Sequence, residues 1–436
     1  MAHPRLTQLL ILLYCIIHLA CSQEFYLNNS YQSTSSGTQS APFTTLEDAF
    51  EGISSYIATN PNKKITLFIA ATPQPYLLKT QLTLEGDLTQ NLTIKGIFNT
   101  SSVNITVDDP FSTPPEEQSD LALGLPNYCS ELFPQIIVEA DINAGSLKLA
   151  SFIQTQIQHV YLQVISKSFE IFPAPIIEFV PNRLDTSVTL VDICASVVSN
   201  LPWVLFLAED FSALDVSNLQ VNFFQAFDES LSSSSIIAAT SGFDHQISIT
   251  NAFIYLAPTQ PDNPSRGTVR LIRDDDQDFT SRISINRFFS QAFVPQFDVT
   301  ASSFTMRNTL LNFYQTSTNI AFQTNGTLLE MTQIREVSNF TIENFTLVGL
   351  RANYGMIIFF STDDTPTVSN ITNITFYDNL FPCMRLLGLI SAMQSTLNGV
   401  IIKNSTFDFQ NCSDFAVPIM SIGEKLETGG LFVFVR

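Results

Sequence analysis

The sequence predicts an all-β fold, a right-handed parallel β-helix with one capping helix near the N-terminus. Helical periodicity is confined to one segment, whereas short runs that alternate apolar and polar residues, typical of strands, continue along the chain. A loose unit of Asn, any residue, and then two apolar or Thr positions recurs at spacings of 22 to 36 residues, which indicates a solenoid. Its members begin at Asn222, Asn251, Asn286, Asn308, Asn344, Asn373 and Asn404. An antiparallel sandwich or a propeller remains open, because the spacing is irregular.

The capping helix is predicted over residues 44–58. Its apolar residues follow the 3.6-residue period, Thr44 or Thr45 can cap its first turn, and Glu47 and Asp48 lie near its positive end. Alternating runs then predict strands at 65–69, 82–84, 92–94 and 103–107. Two proline-rich or acidic segments, 108–134 and 258–278, are predicted to be exposed loops between coils.

The N-terminus predicts export. Arg5 precedes an apolar run that ends in Ala20-Cys21-Ser22, so residues 1–22 are interpreted as a signal peptide and residues 23–436 as the β-helix domain. Lipoprotein attachment at Cys21 is a second option. No later stretch reaches the length of a membrane span. We therefore expect a secreted or cell-surface protein. The apolar final residues, 429–436, suggest a fragment of a longer chain.

The composition limits the partners. The 436 residues carry 20 Lys plus Arg against 40 Asp plus Glu, a formal net charge of −20. This balance argues against nucleic acid, anionic lipid and anionic polysaccharide, since each needs clustered cations. The expected partners are carbohydrate or other surface proteins, and no cofactor is predicted.

Cysteines and glycan acceptors agree with an oxidising compartment. Cys383 and Cys412 are separated by 29 residues, about one coil, so they are predicted to pair, which leaves Cys129 and Cys194 to each other. Asn-x-Ser/Thr acceptors occur about twice as often as chance predicts. We predict glycosylation among Asn28, Asn91, Asn99, Asn104, Asn325, Asn339, Asn344, Asn370, Asn373, Asn404 and Asn411.

The segment from Gly37 to Ala49 resembles the opening of pectin-lyase-like right-handed β-helix domains. It contains a Gly-Thr, a Pro-Phe and a Thr-Leu-x-x-Ala helix start, and Pro75-Tyr76 resembles the family's following turn. The resemblance implies that the helix caps the solenoid and that residues 65–69 form the first strand. It also implies a non-catalytic surface type, because the Gly-His-Gly segment and the Asp, Arg and Lys sets of the pectinolytic members have no clear equivalent here.

Two groups of acidic and histidine residues are candidates for calcium binding or acid/base catalysis. Asp274, Asp276 and Asp278 alternate as calcium ligands can, but the Gly and Glu of an EF-hand loop are missing, which favours a solvated loop. Asp244-His245 could act as an acid/base pair, but no further catalytic motif accompanies it. The sequence therefore predicts neither a catalytic residue nor a metal site.

The predicted function is a non-enzymatic glycoprotein acting in adhesion, surface coat or glycan binding. The alternative is a polysaccharide lyase or glycoside hydrolase on the same fold. Since acidic polyuronates need cationic contacts, the scarcity of Lys and Arg weakens the lyase more than a hydrolase of neutral glycans.

Overall fold

The protein is described here by a computed structural model. It covers residues 22–98, 109–120, 124–139, 145–165, 175–180, 185–199, 203–225, 234–240, 244–256, 269–274, 281–291, 297–314, 332–335, 339–349, 355–358, 368–378, 380–382, 384–388, 394–403, 406–408, 426–427 and 432–435.

The described chain consists almost entirely of short strands with two helices and two 3-10 turns, Pro110–Ser112 and Pro115–Asp120. In chain order the elements are β1 (Ser22–Leu27), α1 (Leu46–Thr59), β2 (Lys64–Ala70), β3 (Tyr76–Leu78), β4 (Gln81–Glu85), β5 (Asn91–Ile97), α2 (Asn127–Leu132), β6 (Gln135–Glu139), β7 (Ser146–Ala150), β8 (Gln154–Ile165), β9 (Ile177–Val180), β10 (Ser187–Ser199), β11 (Val204–Glu209), β12 (Ala213–Gln225), β13 (Ser234–Thr240), β14 (Gln246–Leu256), β15 (Val269–Asp274), β16 (Arg282–Ser290), β17 (Phe297–Thr300), β18 (Ser303–Asn312), β19 (Thr332–Arg335), β20 (Asn339–Val348), β21 (Gly355–Ile358), β22 (Val368–Tyr377), β23 (Leu380–Pro382), β24 (Met384–Gly388), β25 (Gln394–Lys403), β26 (Thr406–Asp408), β27 (Leu426–Glu427) and β28 (Phe432–Val435).

These strands stack into a right-handed parallel β-helix, which confirms the predicted fold class. The main sheet follows the order β1-β2-β5-β8-β10-β12-β14-β16-β18-β20-β22-β25-β27, with β3, β6 and β28 beside this path. The second sheet follows the order β4-β7-β9-β11-β13-β15-β17-β19. Neighbouring strands are parallel, so each coil pairs with the coil before and the coil after it.

One residue bends each main-sheet strand from β8 to β22. In β10, Val188 and Leu190 point inward, and Asp192 then adopts a left-handed backbone with φ of 52°. Inward alternation resumes one residue out of phase, at Ile193 and Ala195. A left-handed residue of this kind lets a long strand curve around the solenoid while it keeps an apolar interior.

The left-handed residues stack on one another from β8 to β22, with φ between 52° and 64°. We call this stack the ladder; its rungs are His159, Asp192, Asn218, Asn251, Arg287, Asn308, Asn344 and Asn373. Asn is the commonest rung because its short amide tolerates the left-handed region and can bond to a neighbouring amide.

Hydrogen bonds run along the ladder between side chains. Asn251 donates to Asn218 at 2.8 Å, and Asn373 donates to Asn344 at 3.0 Å. At the Arg287 coil the neighbouring Asn286 takes over, since Asn308 donates to its Oδ1 at 2.9 Å. The polar rungs therefore satisfy one another across the coil spacing of about 4.8 Å.

The predicted repeat is correct in kind but displaced in two described coils. The β12 rung is Asn218 rather than Asn222, and the β16 rung is Arg287 rather than Asn286. In the last predicted coil, the register places Gly399 opposite Asn373, while Asn404 lies outside the described residues. The displacement arises because Asn also occurs elsewhere in these strands, as Asn222 and Asn286 do, and not only at the left-handed position.

Helix α1 forms as predicted and covers one end of the core. The Thr45 hydroxyl accepts from the Asp48 amide at 3.1 Å, and Leu46, Ala49, Phe50 and Ile53 are buried. The prediction of residues 65–69 as the first strand is wrong, because β1 precedes α1 and pairs with β2. Phe25 of β1 packs edge-on against Tyr56 of the helix, with ring centroids 5.5 Å apart.

The interior of the solenoid is filled by aliphatic and aromatic side chains from both sheets. Trp203 is buried there, as predicted, with its ring 6.4 Å from Phe223. Neither described helix has the length and apolar character that a membrane crossing needs.

Replacement of one rung should separate backbone strain from the ladder bond. Asn308→Gly keeps the left-handed backbone and loses the amide, whereas Asn308→Ala loses both. We expect denaturant unfolding to give a stability order of Asn above Gly above Ala, with Ala about 1 kcal/mol below Gly. Equal stabilities of the Gly and Ala proteins would contradict a left-handed requirement at this rung.

Candidate functional site

Residues 109–120 and 124–134 lie against the outer face of the main sheet and form one wall of a cavity; we call these residues the strap. The prediction of an exposed loop is correct for Glu116, Glu117 and Asp120 but wrong for the apolar part of this segment. Cys129 is fully buried and Gln118 is 1% exposed, and Leu132 and Phe133 are also buried. Prolines and acids suggested a loop, but apolar side chains between them pack against the sheet.

Three contacts fasten the strap to distant coils. The Asn312 amide of β18 donates to the backbone oxygen and to Oε1 of Gln118 at 3.0 and 3.1 Å. Arg287 of β16 bonds to Asp109. A disulfide joins Cys129 of α2 to Cys194 of β10, with the Cα atoms 5.8 Å apart. The strap thus spans the coils from β10 to β18.

The cavity beneath the strap has a volume of about 480 Å³. This size is typical of small-molecule sites. Its lining comprises Phe98, Asp109, Tyr128, Phe133, His159, Asp192, Asn218, Gln220, Asn251, Phe253 and Arg287.

The floor of the cavity is the N-terminal part of the ladder. Five successive rungs, from His159 to Arg287, line it. Because each left-handed residue bends its strand at the same place, polar side chains from five coils stand in one row. The close approach of coils also constrains Gly96 beside the first rung, since a Cβ there would lie 2.0 Å from the carbonyl oxygen of His159.

Aromatic rings surround one end of this row. Phe98 meets His159 edge-on with ring centroids 5.1 Å apart, and the Phe133 ring lies 5.9 Å from the same imidazole. Tyr128 packs against Phe133 at 5.5 Å. Burial, followed by the charge of Asp192, raises the pKa of Tyr128 to about 12, so its phenol is neutral and can donate a hydrogen bond.

Asp192 is the carboxylate at the centre of this end. Hydrogen bonding from His159 lowers its pKa below the ordinary value of 3.8, with Asn218 contributing in the same direction against the opposing effect of burial. The His159 Nε2 atom lies 3.0 Å from Oδ2, and Asn218 Nδ2 donates to Oδ1 at 2.7 Å. Asp192 is therefore ionised at neutral pH.

The imidazole of His159 is oriented by this carboxylate. An ionised carboxylate accepts only, so Nε2 carries a hydrogen and donates to Asp192. The other nitrogen, Nδ1, is buried without a hydrogen-bond partner among the described residues. The imidazole in turn holds Asp192 in place, and this carboxylate lines the cavity with 31% of its side chain exposed. An oriented, ionised carboxylate that a ligand can reach is suited to general-base chemistry.

The opposite end of the floor holds Asp109 and Arg287. Asp109 Oδ1 accepts from the Phe111 amide at 3.1 Å, and its Oδ2 is the atom that bonds to Arg287. The guanidinium also donates to Asn251 at 3.3 Å and lies over the Phe111 ring at 5.2 Å. Two amide rungs and this guanidinium separate Asp109 from Asp192, so the two carboxylates do not contact each other.

Of the predicted disulfides, only the Cys129–Cys194 pair falls within the described residues, and it forms. Cys383 and Cys412 lie outside them, so their pairing stays a prediction.

The predicted glycan acceptors fall in three groups. Asn339, Asn344 and Asn373 are exposed, and Asn28 and Asn91 are half-buried. Asn370 lies in β22. The acceptors outside the described residues are Asn99, Asn104, Asn325, Asn404 and Asn411. Asn344 and Asn373 are also ladder rungs, so their amides already bond to neighbouring coils.

The structure places the candidate residues of these two groups in different environments. Asp244 forms an exposed ion pair with Arg282 at 3.0 Å, whereas His245 turns inward and bonds to the buried Asp274 at 3.1 Å. Asp274 is therefore not part of a solvated loop, while Asp276 and Asp278 lie outside the described residues. No three His, Cys, Asp or Glu side chains gather as metal ligands in the described part of the chain.

Sequence reasoning missed His159 and Asp192, although a signal was present. Each rung except Asn308, which Thr309 follows, has the pattern apolar, any residue, rung, apolar, any residue, apolar or small, as in Ile157-Gln-His159-Val160 and Leu190-Val-Asp192-Ile193. Alignment on the flanking apolar residues, rather than on Asn, finds both of the missed rungs.

No protein-family model and no curated protein sequence matches the chain. Its fold is similar to that of a substituted GH87 α-1,3-glucanase catalytic domain in complex with nigerose, at 9% identity, with 92% of this chain and 69% of that chain covered and a TM-score of 0.42. A GH136 lacto-N-biosidase from Eubacterium ramulus is similar at 9% identity, 95% and 67% coverage and a TM-score of 0.31. The Agl-KA catalytic domain is similar at 12% identity, 94% and 68% coverage and a TM-score of 0.27.

The prediction of a non-enzymatic function is corrected here, because the similar structures are glycoside hydrolases, the class that the sequence analysis gave as the alternative. At such low identities and TM-scores the likeness concerns the fold alone and transfers no active-site residue. The parallel β-helix is established, whereas membership of the pectin-lyase-like family stays a prediction.

Removal of the disulfide should loosen the strap. We expect the double variant Cys129→Ser, Cys194→Ser to lose about 2–4 kcal/mol of unfolding free energy and to be cleaved faster by protease within residues 109–134. Ser130→Ala, an exposed change on the same helix, is the matched control. A double variant as resistant as this control would show that the other contacts suffice.

Acid should weaken the folded state through Asp192. Since its folded pKa lies below 3.8, its ionised form stabilises the protein above that pH, and this contribution disappears as the pH falls through the folded pKa. We expect the stability difference between wild type and Asp192→Asn to shrink from about pH 5 to pH 2 in urea titrations. Parallel stability curves for the two proteins would contradict this assignment.

Proposed function

We propose that the protein is a glycoside hydrolase whose active site is the cavity beneath the strap. The observation that carries the proposal is the ionised Asp192, oriented against His159 on the floor of a partly aromatic cavity. The neutral amides of Asn218 and Asn251 continue the floor beside this pair.

The lining matches both surfaces of a sugar. A pyranose ring has a face of C–H groups and a rim of hydroxyls. The rings of Phe98, Tyr128 and Phe133 supply apolar surface for the first. The amides of Asn218, Gln220 and Asn251 supply donors and acceptors for the second.

The pair of Asp192 and His159 supports hydrolysis. Cleavage of a glycosidic bond develops positive charge at the anomeric carbon, which an adjacent carboxylate stabilises. In the proposed reaction, Asp192 takes a proton from the attacking water as the water oxygen bonds to the anomeric carbon and the glycosidic C–O bond breaks. The leaving oxygen takes a proton from solvent, Asp192 returns its proton to solvent, and His159 keeps the carboxylate oriented.

The proposal extends to the location of the protein. We propose that residues 1–22 are a signal peptide, that the domain of residues 23–436 is pectin-lyase-like, and that the protein is secreted and glycosylated at exposed acceptors. The disulfide between Cys129 and Cys194 supports an oxidising compartment. Surface proteins are retained as partners beside the carbohydrate.

The test uses variants that resemble other rungs. Asp192→Asn and His159→Asn place the commonest rung residue in each coil, so the ladder is retained while the charge or the imidazole is lost. We expect either variant to lower kcat at least about a hundredfold on the neutral oligosaccharide that wild type cleaves. Reducing-end release from a panel of neutral and acidic oligosaccharides is the measurement.

The matched control is Asp215→Asn, an exposed change on β12 outside the cavity lining, which should keep wild-type turnover. Turnover that survives Asp192→Asn would contradict the assigned site. Absence of cleavage and of binding across the whole panel would contradict the proposed function.

A further inference from the structure

We propose that Asp109 is a specificity-determining residue, which reserves the cavity for uncharged glycans by occupying the guanidinium of Arg287. The inference rests on the proposed function and adds a substrate class to it. Asp109 belongs to the strap and Arg287 to the ladder, so the selecting pair forms where the two parts of the cavity meet.

Arg287 is the one Lys or Arg among the described residues that line the cavity. A carboxylated sugar would need this group, because a guanidinium binds carboxylate through paired N–H donors. Its Nη2 bonds to Asp109, its Nη1 donates to Asn251 at 3.3 Å, and its plane lies over Phe111. The cation is thus already neutralised within the protein.

The Asp109 side chain is held in place by a hydrogen bond to the backbone of the turn that follows it. Its Oδ1 caps the 3-10 turn that begins at Pro110, accepting from the Phe111 amide at 3.1 Å. This cap directs the second oxygen to Arg287. Phe111, which follows directly, packs edge-on against Phe253 at 6.1 Å and so holds the turn against the sheet.

The remaining charge in the cavity opposes an anionic ligand. Asp192 is ionised, and Asp109 cancels Arg287, so a bound uronate would face an uncompensated carboxylate. A charge moved from water into a concave site without a partner is strongly disfavoured. A neutral sugar meets amides and rings without this penalty.

A purely structural role explains the pair less well. Both side chains are more than a third exposed, at 37% for Asp109 and 36% for Arg287, and exposed ion pairs contribute little to folding. The Asp244–Arg282 pair, at 58% and 62% exposure and outside the cavity lining, provides a matched comparison.

The experiment measures binding of matched oligosaccharides to the full chain by calorimetry. The probes are trimers of glucose, galactose and mannose, each paired with the trimer of its uronic acid. We expect wild type to bind at least one neutral trimer at least about tenfold more tightly than its uronate. Asp109→Asn should lower this ratio of dissociation constants about tenfold, because Arg287 becomes available to the carboxylate. Asp244→Asn should keep the wild-type ratio.

Several outcomes would overturn the inference. Equal binding of a neutral trimer and its uronate by wild type does so without any variant. A folded Asp109→Asn protein that keeps the wild-type ratio of dissociation constants also overturns the inference. If Asp109→Asn is too unstable to measure, Asp109→Ala is used in its place. Cleavage of neutral trimers without charge selectivity would remove this inference and leave the proposed function standing. Absence of both binding and cleavage would remove both.

Discussion

The shape of the main sheet from β8 to β22 depends on one left-handed residue in each strand. The shorter β2 alternates throughout and buries Ile65, Leu67 and Ile69, but the longer strands from β8 onward bend around the interior. The rung reverses the phase of the alternation, as between Leu190 and Ile193, and thereby curves the coil. Because the rungs stack, their side chains form hydrogen bonds along the axis of the solenoid. These bonds offset the conformational cost of the left-handed backbone at each rung.

This arrangement also places chemistry in a row. Most rungs are Asn, whose amides form hydrogen bonds between coils, but the N-terminal rungs include His159, Asp192 and Arg287. The same geometry that satisfies amides there orients an imidazole against a carboxylate and aligns a guanidinium with an amide. A solenoid can therefore acquire reactive groups by changing rung residues without a change in its core, which keeps fold and function separable.

The strap turns an open face into a cavity. A bare sheet face offers no concavity, and a polar row on it would remain fully hydrated. The disulfide, the Gln118–Asn312 bonds and the Asp109–Arg287 pair attach a chain segment to coils that lie far from it in sequence. The segment contributes aromatic rings and leaves the side chains of His159 and Asp192 only 20% and 31% exposed. Partial burial of this kind strengthens hydrogen bonds and charge interactions relative to open water.

Sequence alone determined the class of the fold, the capping helix and the inward residues, because these follow from local periodicity: α1 begins at the predicted cap, and apolar positions recur with the coil. It also showed that cations are scarce, which agrees with a cavity whose cation is already paired. The partners of His159, Asp109 and Gln118 were decided only by tertiary structure, since they lie 33, 178 and 194 residues away along the chain. Contacts of that separation arise from the stacking of coils and the path of the strap, and neither leaves a periodic mark in the sequence. The candidate site could not be predicted from the sequence for the same reason, because it is assembled across coils rather than within one segment.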